Sequence, residues 1–176
     1  MNIMLNIIKS TKFKRLKQYL WDFFINGILS MYLCPLSLRM ILLPIVGIKC
    51  KKAVIHAKCY IGSKKLIIGE NSYINREVLI NNDVYVKIGD KCAIGYRVSF
   101  YTTNHLIESK YKRAGKCINK EIVIGNGCWI GANSILLPGV NIGNGVVIAS
   151  GSVVNKDCES NYLYAGVPAK KIKLLK

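Results

Sequence analysis

Acidic residues are scarce in this chain. Nine Asp and Glu stand against 26 Lys and Arg, a formal net charge of +17 over 176 residues. Such a surface attracts anions: nucleic acid, acidic lipid, phosphorylated ligands or acidic polymers. The basic residues gather at Lys9 to Lys17, Lys49 to Lys52 and Lys156 to Lys176. No signature of a nucleic-acid-binding module accompanies them, so nucleic acid is not the expected partner. No CxxC pair occurs among the seven scattered cysteines, which argues against a zinc site and for a reduced, cytoplasmic setting. A long apolar run is missing too. The uncharged span between Asp22 and Arg39 holds 16 residues, short of the roughly 20 needed to cross a bilayer. A secretory cleavage site is also lacking.

What the chain does have is a period of six. Ile124, Ile130, Leu136, Ile142, Ile148 and Val154 fall in one register. Gly125, Gly131 and Gly143 follow three of them, and Cys128, Ser134, Val140, Val146 and Ser152 stand four residues after an aliphatic position. A six-residue period suits neither a helix nor an alternating strand. It predicts a parallel β-helix built from hexapeptide repeats. Just over half the residues are hydrophobic, enough for one domain with a real core.

The pattern begins earlier and less regularly. It runs Ile55, Ile61, slips by one to Ile68, continues to Ile74 and Ile80, and reaches Ile88, Ile94 and Phe100 after a two-residue insertion. Slips of this kind are read as bulges at corners. Cys59 and Cys92 also stand four residues after a repeat aliphatic, so with Cys128 they are expected to face the core as small buried residues. Between Phe100 and Ile124 lies a polar excursion, and in a solenoid an insertion maps to a protruding loop, often on the binding face. The expected layout is a helical lead-in over 1–48, a β-helix over 49–174, and an inserted loop over 101–121. Within the lead-in, two short helices broken near Pro35 are expected. Two placements are open: packing on the end or side of the β-helix, or lying on the inner face of a membrane beside the adjacent lysines.

The loop holds His105, one of only two histidines, beside Asn104 and before Glu108. Histidine exchanges its proton near neutral pH. An exposed loop histidine without a role is the plain alternative, but its place in the single insertion makes His105 the candidate catalytic group. His56, at an expected outward corner, is read as structural.

From about residue 50 to 174 the chain resembles the hexapeptide-repeat acetyltransferases, and within them the maltose/galactoside and capsular-polysaccharide O-acetyltransferase group. The marks are the CWIGA step, the LPGV turn, the SGSVV step, the KD pair and the closing GVPAKKIK. The resemblance implies an all-β, left-handed parallel β-helix assembled as a homotrimer, a hand that periodicity alone does not give. It also implies acetyl-CoA as co-substrate, bound between neighbouring prisms, and no metal. By motif position His105, 24 residues before Trp129, matches the family's catalytic histidine. Asn75 matches an acceptor-binding asparagine. Asn82 stands where the group usually has an aspartate, so either Asp83 substitutes or the acceptor contact differs. Asn104 and Trp129 complete the substrate-binding set. Trp129, Ala132, Ser150, Asn155, Lys156, Lys170 and Lys173 match cofactor-binding positions. The two last lysines stand where arginines often face the CoA phosphates, and lysine serves there as a point charge.

The implied chemistry is direct. A neutral imidazole takes the proton of a sugar hydroxyl as it attacks the thioester. A backbone N–H near the Trp129–Ala132 turn would stabilise the oxyanion. Cys117 is the one alternative nucleophile in the loop, without an activating partner visible in the sequence. The leading expectation is O-acetylation of a sugar in a surface polysaccharide or its precursor. N-acetylation of a nucleotide-linked amino sugar and a non-catalytic scaffold remain as alternatives. A zinc carbonic anhydrase of similar architecture needs three histidine ligands, and only two histidines exist.

Overall fold

The computed structural model describes the backbone of residues 2–176 and the side chains of residues 12–176. From residue 49 the chain coils as a left-handed parallel β-helix with three faces. The first face carries Leu66–Ile68, Val86–Ile88, Ile122–Ile124 and Asn141–Ile142. The second carries Val54–Ile55, Tyr73–Ile74, Ala93–Ile94, Trp129–Ile130, Val147–Ile148 and Tyr162–Ala165. The third carries Tyr60–Ile61, Leu79–Asn81, Ser99–Tyr101, Ile135–Leu136 and Val153–Val154. Neighbours within each face pair in parallel, repeat on repeat: Ile94 with Ile130, Ile130 with Ile148, Phe100 with Leu136.

The period of six follows from this geometry. One hexad spans a short strand and a corner, so its aliphatic residue returns to the inside on every face. Ile74, Ile80, Ile94, Phe100, Ile130, Leu136 and Ile148 are all fully buried. Each contributes on the order of 1.5–3 kcal/mol relative to exposure. The small residues four places on are also inside, at a place where the turning backbone leaves carbonyls to be satisfied. Ser72 Oγ donates to Gly89 O at 2.7 Å, and Ser134 Oγ to Ala149 O at 3.1 Å. Cys92 Sγ lies 3.0 Å from Gly125 O, and Cys128 Sγ 3.0 Å from Gly143 O. The inward placement expected for Cys59, Cys92 and Cys128 is observed, and the thiols double as donors.

Three corners join the faces. The first corner, from first face to second, carries a side-chain ladder. The backbone N–H of Glu70 donates to Asp90 Oδ1, that of Asp90 to Asn126 Oδ1, that of Asn126 to Asn144 Oδ1, and that of Asn144 to Ser160 Oγ. The second corner, from second face to third, stacks His56, Asn75, Gly95, Gly131 and Ala149 by backbone N–H bonds to the coil above. The third corner, from third face to first, holds all the irregularities: the slip after Ile61, the insertion after Ile80 and the loop after Phe100.

Both ends of the coil are covered. Helix α1 (Asn2–Trp21) runs on directly as a π-helical stretch, Asp22–Leu29; after a turn, helix α2 (Leu36–Ile45) follows Pro35. The break near Pro35 is as expected, but the first helical segment is longer than two short helices would be, since no proline interrupts residues 2–29. The segment packs on the end of the coil. Asn26 Oδ1 accepts from Ile61 N at 2.8 Å, and its amide donates to Ile61 O at 3.1 Å. Trp21 Nε1 donates to the same oxygen at 2.6 Å. These side chains satisfy what would be an open sheet edge. At the other end Lys170–Leu174 lies antiparallel on Tyr162–Ala165. Among the described residues no helix is long and apolar enough to cross a membrane. The outer surface of the N-terminal cap is nonetheless apolar, with Phe23, Phe24, Leu33, Leu38, Ile41 and Ile45 exposed.

Candidate active site

The loop leaves the third corner as a hairpin, Thr103–Ile107 against Ala114–Asn119. Its root is anchored by Asp83, whose carboxylate accepts from Thr103 Oγ1 at 3.0 Å and whose N–H donates to Thr102 Oγ1 at 3.0 Å. His105 sits on the first strand, exposed, with its backbone N–H bonded to Asn104 Oδ1 at 2.8 Å. Its Nδ1 is 2.8 Å from Gly115 O. A carbonyl can only accept, so the contact assigns the proton to Nδ1 and, in the neutral imidazole, leaves the lone pair on Nε2. That is the tautomer a general base requires. Gly115 is not recognisable from residue type, because its contribution is a carbonyl brought into place by strand pairing.

Cys117 is the cross-strand partner of His105, with Sγ 3.6 Å from Nδ1 and 3.8 Å from Nε2. The neighbour missing from the sequence reading is therefore present. Among the described residues Cys117 is the one exposed thiol; Cys34 is half-buried and the other five cysteines are buried.

The other expected residues fall in two groups. Asn75, Ala132 and Ser150 lie along the second corner, where Ala132 O accepts from Gly151 N and Asn75 Oδ1 from Arg76 N. Gly131 permits this close stacking: a Cβ there would meet Ser150 N at 2.5 Å and Ile148 O at 2.7 Å. Trp129 projects from the second face beside Ala93 and is 57% exposed. Lys170 and Lys173 continue that face, exposed, on its last strand. Among the described residues they have no ion pair, whereas Lys171 between them is bound to Glu159 at 2.6 Å. Asn155 and Lys156 instead lie exposed on the third corner, the corner that bears the His105 hairpin. One copy of the chain thus divides the expected set between two different corners.

Asn82 requires a correction. It is 1% exposed, its Oδ1 accepts from Ser63 N at 2.9 Å, and its amide donates to Ser63 O and Lys65 O. The side chain closes the bulge of the preceding coil and is not available to an acceptor. Asp83, the alternative, is spent on the hairpin root.

Comparison with known proteins bears on what this arrangement is. The sequence profile described as "Bacterial transferase hexapeptide (six repeats)" matches residues 121–156. Galactoside O-acetyltransferase of Escherichia coli (strain K12) is 39% identical over 106 residues, 60% of this chain and 52% of the relative. The chain spans about half the length of the curated relatives it matches. Among solved structures, a hexapeptide-repeat acetyltransferase of Vibrio cholerae O1 biovar eltor, complexed with acetyl coenzyme A, superposes with a TM-score of 0.78 at 31% identity, covering 84% of this chain and 81% of the other. A maltose O-acetyltransferase of Clostridium difficile 630 superposes with a TM-score of 0.83 at 26% identity, covering 92% and 88%. Periodicity, coil and relatives agree, and the chain belongs to the hexapeptide-repeat acetyltransferase family.

Proposed function

We propose that this protein transfers the acetyl group of acetyl-CoA to a sugar hydroxyl, with His105 as general base. The observation that carries the reading is the Nδ1 contact to Gly115 O, which frees Nε2 on an exposed hairpin of a coil whose relatives are acetyltransferases. Nε2 takes the hydroxyl proton as the oxygen attacks the thioester carbonyl; the carbon–sulfur bond then breaks, and the departing sulfur takes that proton back from Nε2, so that CoA leaves as the free thiol. The backbone N–H of Ala132, next to Gly131 whose own N–H is bonded to Ile148 O, is suited to the oxyanion. Lys156, Lys170 and Lys173 supply positive charge for the phosphates of CoA.

The division of these residues between two corners supports a homotrimer. The second corner of one copy would face the third corner and hairpin of the next, and the site would be complete only between copies. The apolar outer surface of the N-terminal cap, with Lys12, Lys14, Arg15 and Lys17 on α1, supports peripheral contact with an anionic membrane surface. An acceptor presented there, such as a surface-polysaccharide precursor, suits that placement. Co-flotation with vesicles containing anionic lipid, lost at high salt, is the expected result; no flotation would remove the membrane from the reading.

The central test is His105→Ala, assayed by thiol release from acetyl-CoA against a panel of sugars, nucleotide sugars and lipid-linked glycans. The expected outcome is a loss of about 10²–10⁴-fold in turnover, with unchanged oligomeric state. A folded His105→Ala protein with full activity would overturn the mechanism.

A further inference from the structure

The second corner continues past Asn75 to the N-terminal cap. Ser150, Ala132, Tyr96, Arg76 and Ala57 form one column of successive coils, and Asn75 stacks on His56. Where this column meets the turn before α2 there is a cleft of about 210 Å³ whose walls include Tyr32, Pro35, Leu36, Arg39, His56 and Arg76. That is smaller than the roughly 300–1,000 Å³ of a site enclosing a whole ligand. It suits one substituent of a larger molecule lying along the corner.

The polar lining is cationic. Arg76 stands over the Tyr32 ring with its guanidinium carbon 5.8 Å from the centroid, and the Lys58 ammonium lies 5.7 Å from the same centroid. Arg39 is buried behind them. Its guanidinium donates to the carbonyl oxygens of Leu29, Met31, Cys34 and Ile55. Those oxygens satisfy its hydrogen bonds but leave its charge uncompensated. Glu77, next to Arg76, is committed to Arg97 at 2.8 Å and to the Tyr96 hydroxyl. Among the described residues Arg39, Lys58 and Arg76 have no ion pair. Desolvation, then Arg76 and Arg39, hold the His56 pKa below its usual value. The cleft therefore has an excess of positive charge and, in a neutral imidazole, a further hydrogen-bonding group.

We infer that the acceptor carries an anionic group, a phosphate or a carboxylate, and that this cleft receives it through Arg76 and His56 in its wall, with the Lys58 ammonium beside it on the Tyr32 ring. The inference rests on the acetyltransferase reading and specifies its acceptor. The acid group is held at the cap, so the sugar ring lies up the corner beside Asn75, toward Ala132 and the donor side.

The test is calorimetric titration of the CoA-saturated protein with galactose, galactose 1-phosphate and galacturonate. Saturation with CoA first removes its own phosphate sites from the measurement. At least one charged sugar is expected to bind tenfold or more tighter than galactose. That preference should disappear in Arg76→Ala/Lys58→Ala and be retained in Arg76→Lys, with unchanged melting temperatures. Preference for galactose 1-phosphate alone assigns a phosphorylated sugar, and for galacturonate alone an acidic sugar. Equal binding of all three, or a preference that survives the double substitution, overturns the inference. Failure of CoA itself to bind, seen in the first stage, would overturn the acetyltransferase reading along with it.

Discussion

At the scale of single residues, much of the chemistry is carried by groups too small to attract notice. Gly131 is the sharpest case. Its φ is not in the left-handed region, so it is not glycine for the sake of the turn. It is glycine because the next coil lies on it, with Ser150 N where a Cβ would have to be. Gly131→Ala must push backbone against backbone, at a cost of about 1–3 kcal/mol. The displaced strand edge is the one that carries Ala132 and Ser150. Denaturant unfolding should show the loss of stability, and acetyl-CoA affinity should fall with it. A variant with wild-type stability would mean that the coils have slack at this corner. The inner cysteines and serines follow similar logic. Cys92 and Ser134 each give a small donor to a carbonyl and so serve alike, while Val140 and Val146 fill the equivalent places by size alone.

At the scale of elements, the repeat was fully legible and its interruptions were only half legible. A six-residue register reports where the chain turns inward, so the buried aliphatic residues from Ile55 to Val154 could be read directly. It does not report which corner absorbs an extra residue. The slip after Ile61, the insertion after Ile80 and the excursion after Phe100 all fall on the third corner, because three hexads return the chain to the same corner. Asn82 shows the cost of reading residue by residue: the position looked like an acceptor contact, but its amide bridges Ser63 and Lys65 to close the bulge that the slip created. The tautomer of His105 was hidden for a different reason. It depends on a carbonyl ten residues away that only the hairpin brings near. Arg39 was hidden too, since an arginine between apolar residues gives no sign that it will gather carbonyls from the helix end and the first coil.

At the scale of the molecule, the division of the expected site between two corners has a consequence that can be counted. If the hairpin of one copy serves the second corner of the next, every site in a cyclic trimer draws on two chains. His105→Ala removes the base from one side of an interface. Ala132→Trp would fill the other side at the corner where Ser150 stacks on Gly131. Each variant alone should be inactive. Co-expressed with different tags and purified through both, they form mixed trimers. Going round a ring of three that contains both kinds, one interface alone joins an intact hairpin to an intact corner. Mixed trimers should therefore recover about one third of the wild-type rate per trimer, whichever variant is in the majority. If each copy held a complete site, mixed trimers would be as inactive as the parents, and if the chain did not assemble, no doubly tagged species would be recovered. Recovery near one third would place His105 and Ala132 on opposite sides of a groove shared by two chains.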